Sequence, residues 1–179
     1  MADPRLRQAR LDDLPNLVEL ERAAGQVFRT VGMDRVADDD PGSVEELTTY
    51  AVDGRAFVAV DPDDRPVGYL VLDLVDGNGH VEQVSVHPSH ARRGVGRLLV
   101  EHAAAWAAQR SLPALTLTTY VDVPWNGPYY QRLGFRFLSA EEESPGLRRL
   151  RNHERQLGLD AWPRACMRRE TALPRSPGG

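Results

Sequence analysis

Hydrophobic residues in the first part of the chain recur at helical spacing in two stretches. From residue 14 to about 24 they mark one face of a helix, on which Glu21 is the single polar residue. Ser43-Val44-Glu45-Glu46 has the pattern of a capping box, and the helix that it begins is predicted to end near Gly54. The spacing therefore predicts two amphipathic helices before the first long apolar run.

Short runs rich in β-branched and aliphatic residues predict strands around these helices. The predicted strands are 6–9, 56–60, 66–75, 80–86, 114–118, 135–138 and 163–169. Later helical spacing predicts a long helix that ends near 110, a short helix over 128–133 and an arginine-rich helix over 147–157. This order of elements predicts an α/β fold, more closely an α+β domain with a mixed sheet.

The segment 25–42 has no clear hydrophobic period and carries four aspartates. One interpretation is a solvated loop. The other is a substrate lip whose negative field draws a cationic amine. The pattern leaves both open.

Composition narrows the class of protein. At 179 residues the chain is long enough for one well-buried domain, predicted over 1–170, with 171–179 as a flexible tail. No apolar run approaches the roughly 20 residues of a membrane helix, and a single cysteine fits a reducing compartment, so we expect a cytoplasmic protein. The net charge of −4 argues against a nucleic-acid partner. All 22 basic residues are arginine, so the chain has no lysine of its own to modify.

The run from Val84 to Val100 passes from a predicted strand through a glycine-containing loop into the long helix. Gly94 and Gly96 lack a Cβ, so the backbone there can turn tightly and lie close to a ligand. The N-terminus of a helix presents unpaired N–H groups and a positive dipole end, which suit a diphosphate. Positive charge is added around the same position by Arg92, Arg93 and Arg97.

Two stretches together resemble the signatures of one enzyme family. The strand end, Pro88 and Gly94-Val95-Gly96 resemble motif A of the GCN5-related N-acetyltransferases, although Ala91 stands where that motif has Arg or Gln. Asn126, followed by Tyr130 four residues before Gly134-Phe135, resembles motif B. The two motifs stand in the right order with a strand between them, and the resemblance covers roughly residues 5–138.

The resemblance implies a fold, a cofactor and a reaction. The fold would be the acyl-CoA N-acyltransferase fold, with a central, mostly antiparallel sheet flanked by helices. The reaction would be direct transfer of an acetyl group from acetyl-CoA to a primary amine of a small molecule or a peptide. The residues implied in cofactor binding are Val84, Ser85, Val86, Arg92, Arg93, Gly94, Val95, Gly96, Arg97, Asn126 and Tyr129. No metal is expected, because the histidines lack the spacing of a metal site.

Two residues are the catalytic candidates. Tyr130 would protonate the departing thiolate, because a phenol with a pKa of about 10 holds its proton at neutral pH; Tyr129 is its rival. Glu82 would take the proton of the amine, with burial raising its pKa, or it is an edge carboxylate paired with an arginine. Asn126 would bond the pantetheine, cap the short helix, or do both.

Other functions remain open at this level. A non-catalytic acyl-CoA sensor or partner-binding module could keep the same fold without turnover. An acetyltransferase that modifies aminoacyl-tRNA would need a basic face, which the acidic balance opposes. The arginine-rich helix could form a homodimer.

Overall fold

The computed structural model describes residues 4–172 of the chain. The predicted tail lies outside the described residues from 173 onward, and the single-domain boundaries stay a prediction. The strands are β1 (Arg5–Gln8), β2 (Ala56–Val60), β3 (Pro66–Val75), β4 (Asn78–Val86), β5 (Ala114–Tyr120), β6 (Arg136–Phe137) and β7 (Arg164–Glu170). The helices are α1 (Leu14–Gly25), α2 (Asp34–Ala37), α3 (Val44–Val52), α4 (Val95–Gln109), α5 (Gly127–Arg132) and α6 (Pro145–Gln156).

Within residues 4–172 the strands form one seven-stranded sheet in the order β1-β2-β3-β4-β5-β7-β6. β1 pairs antiparallel with β2, and β2 with β3. β4 pairs parallel with β5, and β7 lies antiparallel between β5 and β6. The mixed sheet with its helices confirms the predicted fold class.

The segment between α1 and α3 differs from the predicted loop. A 3₁₀ helix at Gln26–Val31 and the short helix α2 occupy it. Gly32, with a left-handed φ of 73°, ends the 3₁₀ helix, and Met33, which is 2% exposed, precedes α2. Ion pairs with Arg29 partly neutralise Asp34 and Asp38. Much of the segment is therefore helical rather than a loop, although most of its residues are exposed to solvent, as the interpretation of a solvated segment predicts.

The described residues cluster into two compact units, each with its own core. The first unit comprises residues 4–72 and 82–102. Its core packs leucines of α1 and α3 against apolar residues of β2 and β3. Complete burial of each such side chain contributes roughly 1.5–3 kcal/mol. The capping box at Ser43 is confirmed, since its side chain accepts a hydrogen bond from Glu46 N and the Glu46 side chain bonds back to Ser43 N.

The second unit comprises residues 73–81 and 103–172. Its centre is the pairing of β5 with β7, which runs from Ala114↔Glu170 to Tyr120↔Arg164. Leu115 and Leu117 of β5 and Cys166 and Met167 of β7 are buried there. Burial raises the pKa of the Cys166 thiol to about 12. Cys166 is thus a core residue.

Candidate active site

The loop that precedes α4 lies in the first unit and takes an open, left-handed turn. Arg92 has φ 58° and Gly94 has φ 81°, and both residues are exposed. A Cβ added at Gly94 would meet no atom within 4 Å, so glycine is needed there for backbone conformation rather than for space. Gly96 already belongs to α4. Of the two predicted glycines, Gly94 therefore forms the turn.

The first turn of α4 leaves donors without partners in the helix. Its first backbone bond runs from Leu98 N to Gly94 O at 2.9 Å, so the N–H groups of Val95, Gly96 and Arg97 have no acceptor within the helix. The dipole of a 15-residue helix places positive potential at this end. Three exposed guanidinium groups, those of Arg92, Arg93 and Arg97, add charge nearby in the chain. The loop has the geometry and charge to bind a diphosphate.

The end of β4 leads into this loop. Val84 and Val86 are half-buried, and Ser85 is 6% exposed. His87 N donates to Val67 O of β3 at 2.9 Å, which fixes the strand end. Glu82 is exposed, so the prediction that it is buried in the sheet is wrong. The burial of β4 is uneven along its length: the strand is buried from Gly79 to Val81 and again at Ser85, and Glu82 lies at an exposed position between them.

Tyr130 lies on α5 in the second unit. Its ring packs edge-on against Phe135 and Tyr129, with centroid distances of 5.7 and 5.6 Å. Burial, and then the neighbouring Tyr129, raise the pKa of the Tyr130 phenol above its ordinary value, so it is protonated at neutral pH. Glycine at position 127 allows α5 to begin close to the end of β5, since a Cβ there would stand 2.5 Å from Val121 O and 3.1 Å from Tyr120 O.

Asn126 precedes α5 and holds an unused acceptor. Its side chain makes no capping bond, so the predicted helix-cap role is wrong. Its Oδ1 is buried and has no hydrogen-bond partner among the residues that the structure describes. Since buried polar atoms nearly always have partners, this oxygen is suited to an N–H of a bound molecule. Tyr129, three residues further along the chain, is half-buried, and the Arg132 guanidinium lies 5.8 Å from its ring centre.

His80 has a partner that the sequence did not reveal. Its Nδ1 lies 2.9 Å from Thr116 Oγ1 in the parallel pairing of β4 with β5, and burial lowers its pKa to about 4. Over residues 4–172, no group of three or more His, Cys, Asp or Glu side chains could hold a metal ion. In the same range no helix is long and apolar enough to cross a membrane.

Sequence patterns missed a buried polar contact of the first unit. Tyr69 on β3 donates a short hydrogen bond to Glu21 on α1. The only signal was the polar residue on the apolar face of the first helix. Such an exception indicates that a buried group has a polar partner without saying which one.

The sequence profile of the Acetyltransferase (GNAT) family matches residues 16–135, more than half of the chain, and the chain belongs to that family. Among curated relatives, the streptothricin acetyltransferase of Streptomyces lavendulae is 35% identical over 112 residues, which cover 60% of this chain and 59% of that protein. The peptidyl-lysine N-acetyltransferase YjaB of Escherichia coli is 31% identical over 100 residues, 55% of this chain and 62% of that protein. The matches thus span about three fifths of the length of these relatives.

Solved structures share the fold at low identity. A PaiA N-acetyltransferase from Thermoplasma acidophilum, in complex with coenzyme A, matches with a TM-score of 0.70 and 13% identity over 94% of this chain and 99% of that one. The ribosomal-protein-S18-alanine N-acetyltransferase of Escherichia coli matches with a TM-score of 0.67 and 14% identity over 98% and 99%. These likenesses confirm the predicted acyltransferase fold.

Proposed function

We propose that the chain is an acetyl-CoA-dependent N-acetyltransferase that transfers an acetyl group directly to a primary amine. The observation that carries the proposal is the open turn at Gly94, which leads into the unpaired N–H groups of α4. Membership of the GNAT family supports the class of reaction.

We infer that this chain would hold coenzyme A in three places. The N–H groups of Val95, Gly96 and Arg97 would bind the diphosphate, together with the guanidinium groups of Arg92 and Arg93. The backbone of Val84, Ser85 and Val86 would pair with the pantetheine amides in the manner of an added strand. Asn126 Oδ1 would accept one pantetheine N–H, and the ring of Tyr129 would pack against the cofactor.

Two proton transfers accompany the acyl transfer. When bound, acetyl-CoA supplies a thioester that a neutral amine attacks. Glu82, exposed on β4, would take the ammonium proton of the acceptor. Tyr130 would give its proton to the departing sulfur, and its raised pKa keeps that proton in place until it is needed.

We propose a cationic primary amine as the acceptor, in a small molecule or a peptide. Relatives named for streptothricin and for peptidyl-lysine acetylation support both forms. The ion pairs of Asp34 and Asp38 with Arg29 weaken the argument for a purely electrostatic acidic lip. The acceptor must be another molecule or an α-amino group, since the sequence has no lysine.

Free-thiol release tests the proposal. Purified protein with acetyl-CoA and a panel of primary amines is expected to release thiol with at least one amine. Tyr130→Phe removes the proton donor and should lower kcat at least about tenfold, with an unchanged Kd for acetyl-CoA. Tyr50→Phe, half-buried on α3, is the matched control and should leave kcat unchanged.

A second result would favour the alternative function. Tight binding of acetyl-CoA in equilibrium titration, with no thiol released for any amine, would indicate an acyl-CoA sensor or partner-binding module.

A further inference from the structure

The first unit contains an open pocket between helix α1, the start of β3 and the residue that follows β4. Its volume is about 440 Å³, which is in the range of pockets that hold small molecules. Apolar surface comes from the buried Leu20 and the half-buried Pro66. The polar lining consists of Asn16, Glu19, Arg65 and His87. None of these residues belongs to the proposed cofactor site or to the catalytic candidates.

The polar side chains of the pocket have hydrogen-bonding groups that are not in use. Arg65 bonds to Asp61 only through its backbone, and its guanidinium group has no partner among residues 4–172. The side-chain amide of Asn16 likewise has none in that range. Glu19 is 72% exposed and lies 3.7 Å from Arg22, and an ion pair of this exposed kind contributes little.

His87 has one ring nitrogen without a partner. Ser89 N donates to His87 Nδ1 at 3.3 Å, and Ser89 Oγ lies 2.7 Å from the same nitrogen. Because Nδ1 accepts, the neutral ring carries its proton on Nε2. Nε2 makes no hydrogen bond to any residue that the structure describes, so the lining of the pocket includes an unused N–H donor.

The pocket contains both signs of charge. Arg65 stands where the chain enters β3, Glu19 belongs to α1, and no ion pair joins the two. A ligand with only a negative charge would be repelled by Glu19, and a ligand with only a positive charge would be repelled by Arg65. A ligand that carries both charges meets an opposite charge at each end. Among such molecules, an α-amino acid with an aliphatic side chain also suits the apolar part of the lining.

We propose that this pocket binds a free α-amino acid with an aliphatic side chain. The carboxylate is held by the guanidinium fork of Arg65 and by the Nε2–H of His87. The ammonium group is held by the carboxylate of Glu19 and by Asn16 Oδ1. The aliphatic side chain contacts the apolar lining, where its burial adds to the affinity.

Hydrogen bonds connect the pocket to the loop that precedes α4. Ser89 Oγ lies 2.9 Å from His90 Nδ1, so Ser89 bridges the rings of His87 and His90. The single hydroxyl proton of Ser89 goes to His87 Nδ1, and His90 therefore donates to Ser89. A carboxylate at Nε2–H of His87 fixes this direction of hydrogen bonding and thereby orders the start of the loop. Binding of the amino acid should therefore strengthen binding of the cofactor. This link rests on the proposed acetyl-CoA site, whereas binding of the amino acid does not.

Calorimetric titration of the full chain tests the site. L-Alanine, L-valine and L-leucine are titrated separately, and at least one should bind with a Kd on the order of 1 mM or lower. The amide of the amino acid that binds most tightly lacks the carboxylate, and its N-acetyl derivative lacks the ammonium group. Each of these derivatives should bind at least about tenfold more weakly than the amino acid itself.

Charge variants separate the two ends of the ligand. Arg65→Gln and Glu19→Gln should each weaken binding of the amino acid at least about tenfold, because each removes one charge partner. Glu19→Gln should also bind the N-acetyl derivative more tightly than the wild type does, because the repulsion of its carboxylate is removed. Arg148→Gln and Glu45→Gln change exposed charges outside the lining, and both should bind the amino acid as the wild type does.

Titrations of coenzyme A test the link to the loop, and without an acetyl group no transfer occurs during the measurement. A saturating concentration of the amino acid should lower the Kd of the wild type for coenzyme A at least about threefold. Ser89→Ala interrupts the bridge between the two imidazole rings. This variant should still bind the amino acid, but the amino acid should leave its Kd for coenzyme A unchanged.

The outcomes separate the two proposals. If none of the three amino acids binds, or if the amide and the N-acetyl derivative bind as tightly as the amino acid, the site is overturned. A wild type that binds the amino acid but neither acetyl-CoA nor coenzyme A would overturn the proposed function and leave the site standing. An unchanged Kd for coenzyme A in the presence of the amino acid would overturn the link to the loop.

Discussion

Gly94 occupies a left-handed conformation with open space where a Cβ would stand. A non-glycine residue pays for this conformation in backbone strain even though nothing collides with its side chain. The same turn sets the direction in which α4 begins. Backbone strain introduced at position 94 should therefore weaken cofactor binding as well as the stability of the fold.

Gly94→Ala should lower the free energy of unfolding by about 1–2 kcal/mol and weaken acetyl-CoA binding, because alanine disfavours φ 81°. Gly94→Asn is the matched variant, since asparagine tolerates this region better, and its effect on both quantities should be smaller. Thermal unfolding and calorimetric titration measure them. Equal losses for the two variants would indicate a steric cause instead.

His80 makes stability depend on pH. Its pKa falls from 6.5 to about 4 on folding because burial disfavours the charged ring. Between these pH values the unfolded chain therefore binds a proton at His80 that the folded chain does not bind. The part of the free energy of unfolding that depends on a neutral His80 is present above pH 6.5 and is lost as the pH falls toward 4. Since a shift of one pKa unit corresponds to about 1.36 kcal/mol, the free energy of unfolding should fall by about 3 kcal/mol over this range.

Denaturant unfolding at a series of pH values measures this dependence. His80→Gln, which cannot take up a proton, should unfold with a flatter profile between pH 6.5 and 4 than the wild type. Exposed His153 on α6 supplies the control, and His153→Gln should keep the wild-type slope. If the free energy of unfolding of His80→Gln changed with pH as steeply as that of the wild type, another group would be responsible for the pH dependence.

Single-residue chemistry could be predicted where it depends on local sequence. The Gly94 turn and the position of Tyr130 follow from spacing and from family resemblance. The contacts of Glu21 and His80 could not be predicted, because Tyr69 is 48 residues from Glu21 and Thr116 is 36 residues from His80. These contacts form only when elements that are distant in the sequence pack together in the folded chain.

Helix α6 is joined to the sheet by buried charges. Arg151, 3% exposed, pairs with Glu154 on the same helix and with Asp160. Glu154 also forms an ion pair with Arg164 of β7, at 2.9 Å, and accepts a hydrogen bond from the hydroxyl of Thr118 of β5. One carboxylate thus connects a helix to two strands of the second unit.

Removal of that carboxylate should be costly. Glu154→Ala leaves Arg151 and Arg164 buried with one fewer partner, so the free energy of unfolding should fall by about 3–5 kcal/mol. Glu154→Gln, which keeps the hydrogen-bonding shape without the charge, should lose less. Chemical denaturation measures both. A loss below about 1 kcal/mol in Glu154→Ala would show that water replaces the carboxylate.

Elements could be predicted more reliably than their contacts. Periodicity predicted α6 over 147–157, close to its observed span, but hydropathy assigns arginine to the surface and so could not predict the buried Arg151. The helix α2 was missed because its four residues are too few to show a period. Its buried anchor, Met33, is recognisable only in the folded chain.

The chain as a whole combines a predictable class of fold with an unpredictable strand order. The sequence predicted a mixed sheet, but not the insertion of β7 between β5 and β6. Long-range pairing decides that order, and no local pattern encodes it. The motif resemblance predicted the family correctly, whereas the identity of the acceptor depends on side chains that the two motifs do not include.

The burial of Cys166 in β7 has a practical consequence at the bench. Because its single cysteine is buried and the pKa of that thiol is about 12, the folded protein should not react with chromogenic disulfide reagents. Colour that develops during turnover then comes from released coenzyme alone. Addition of denaturant should expose one equivalent of thiol per chain, that of Cys166. This thiol supplies an internal standard for protein concentration in the same cuvette.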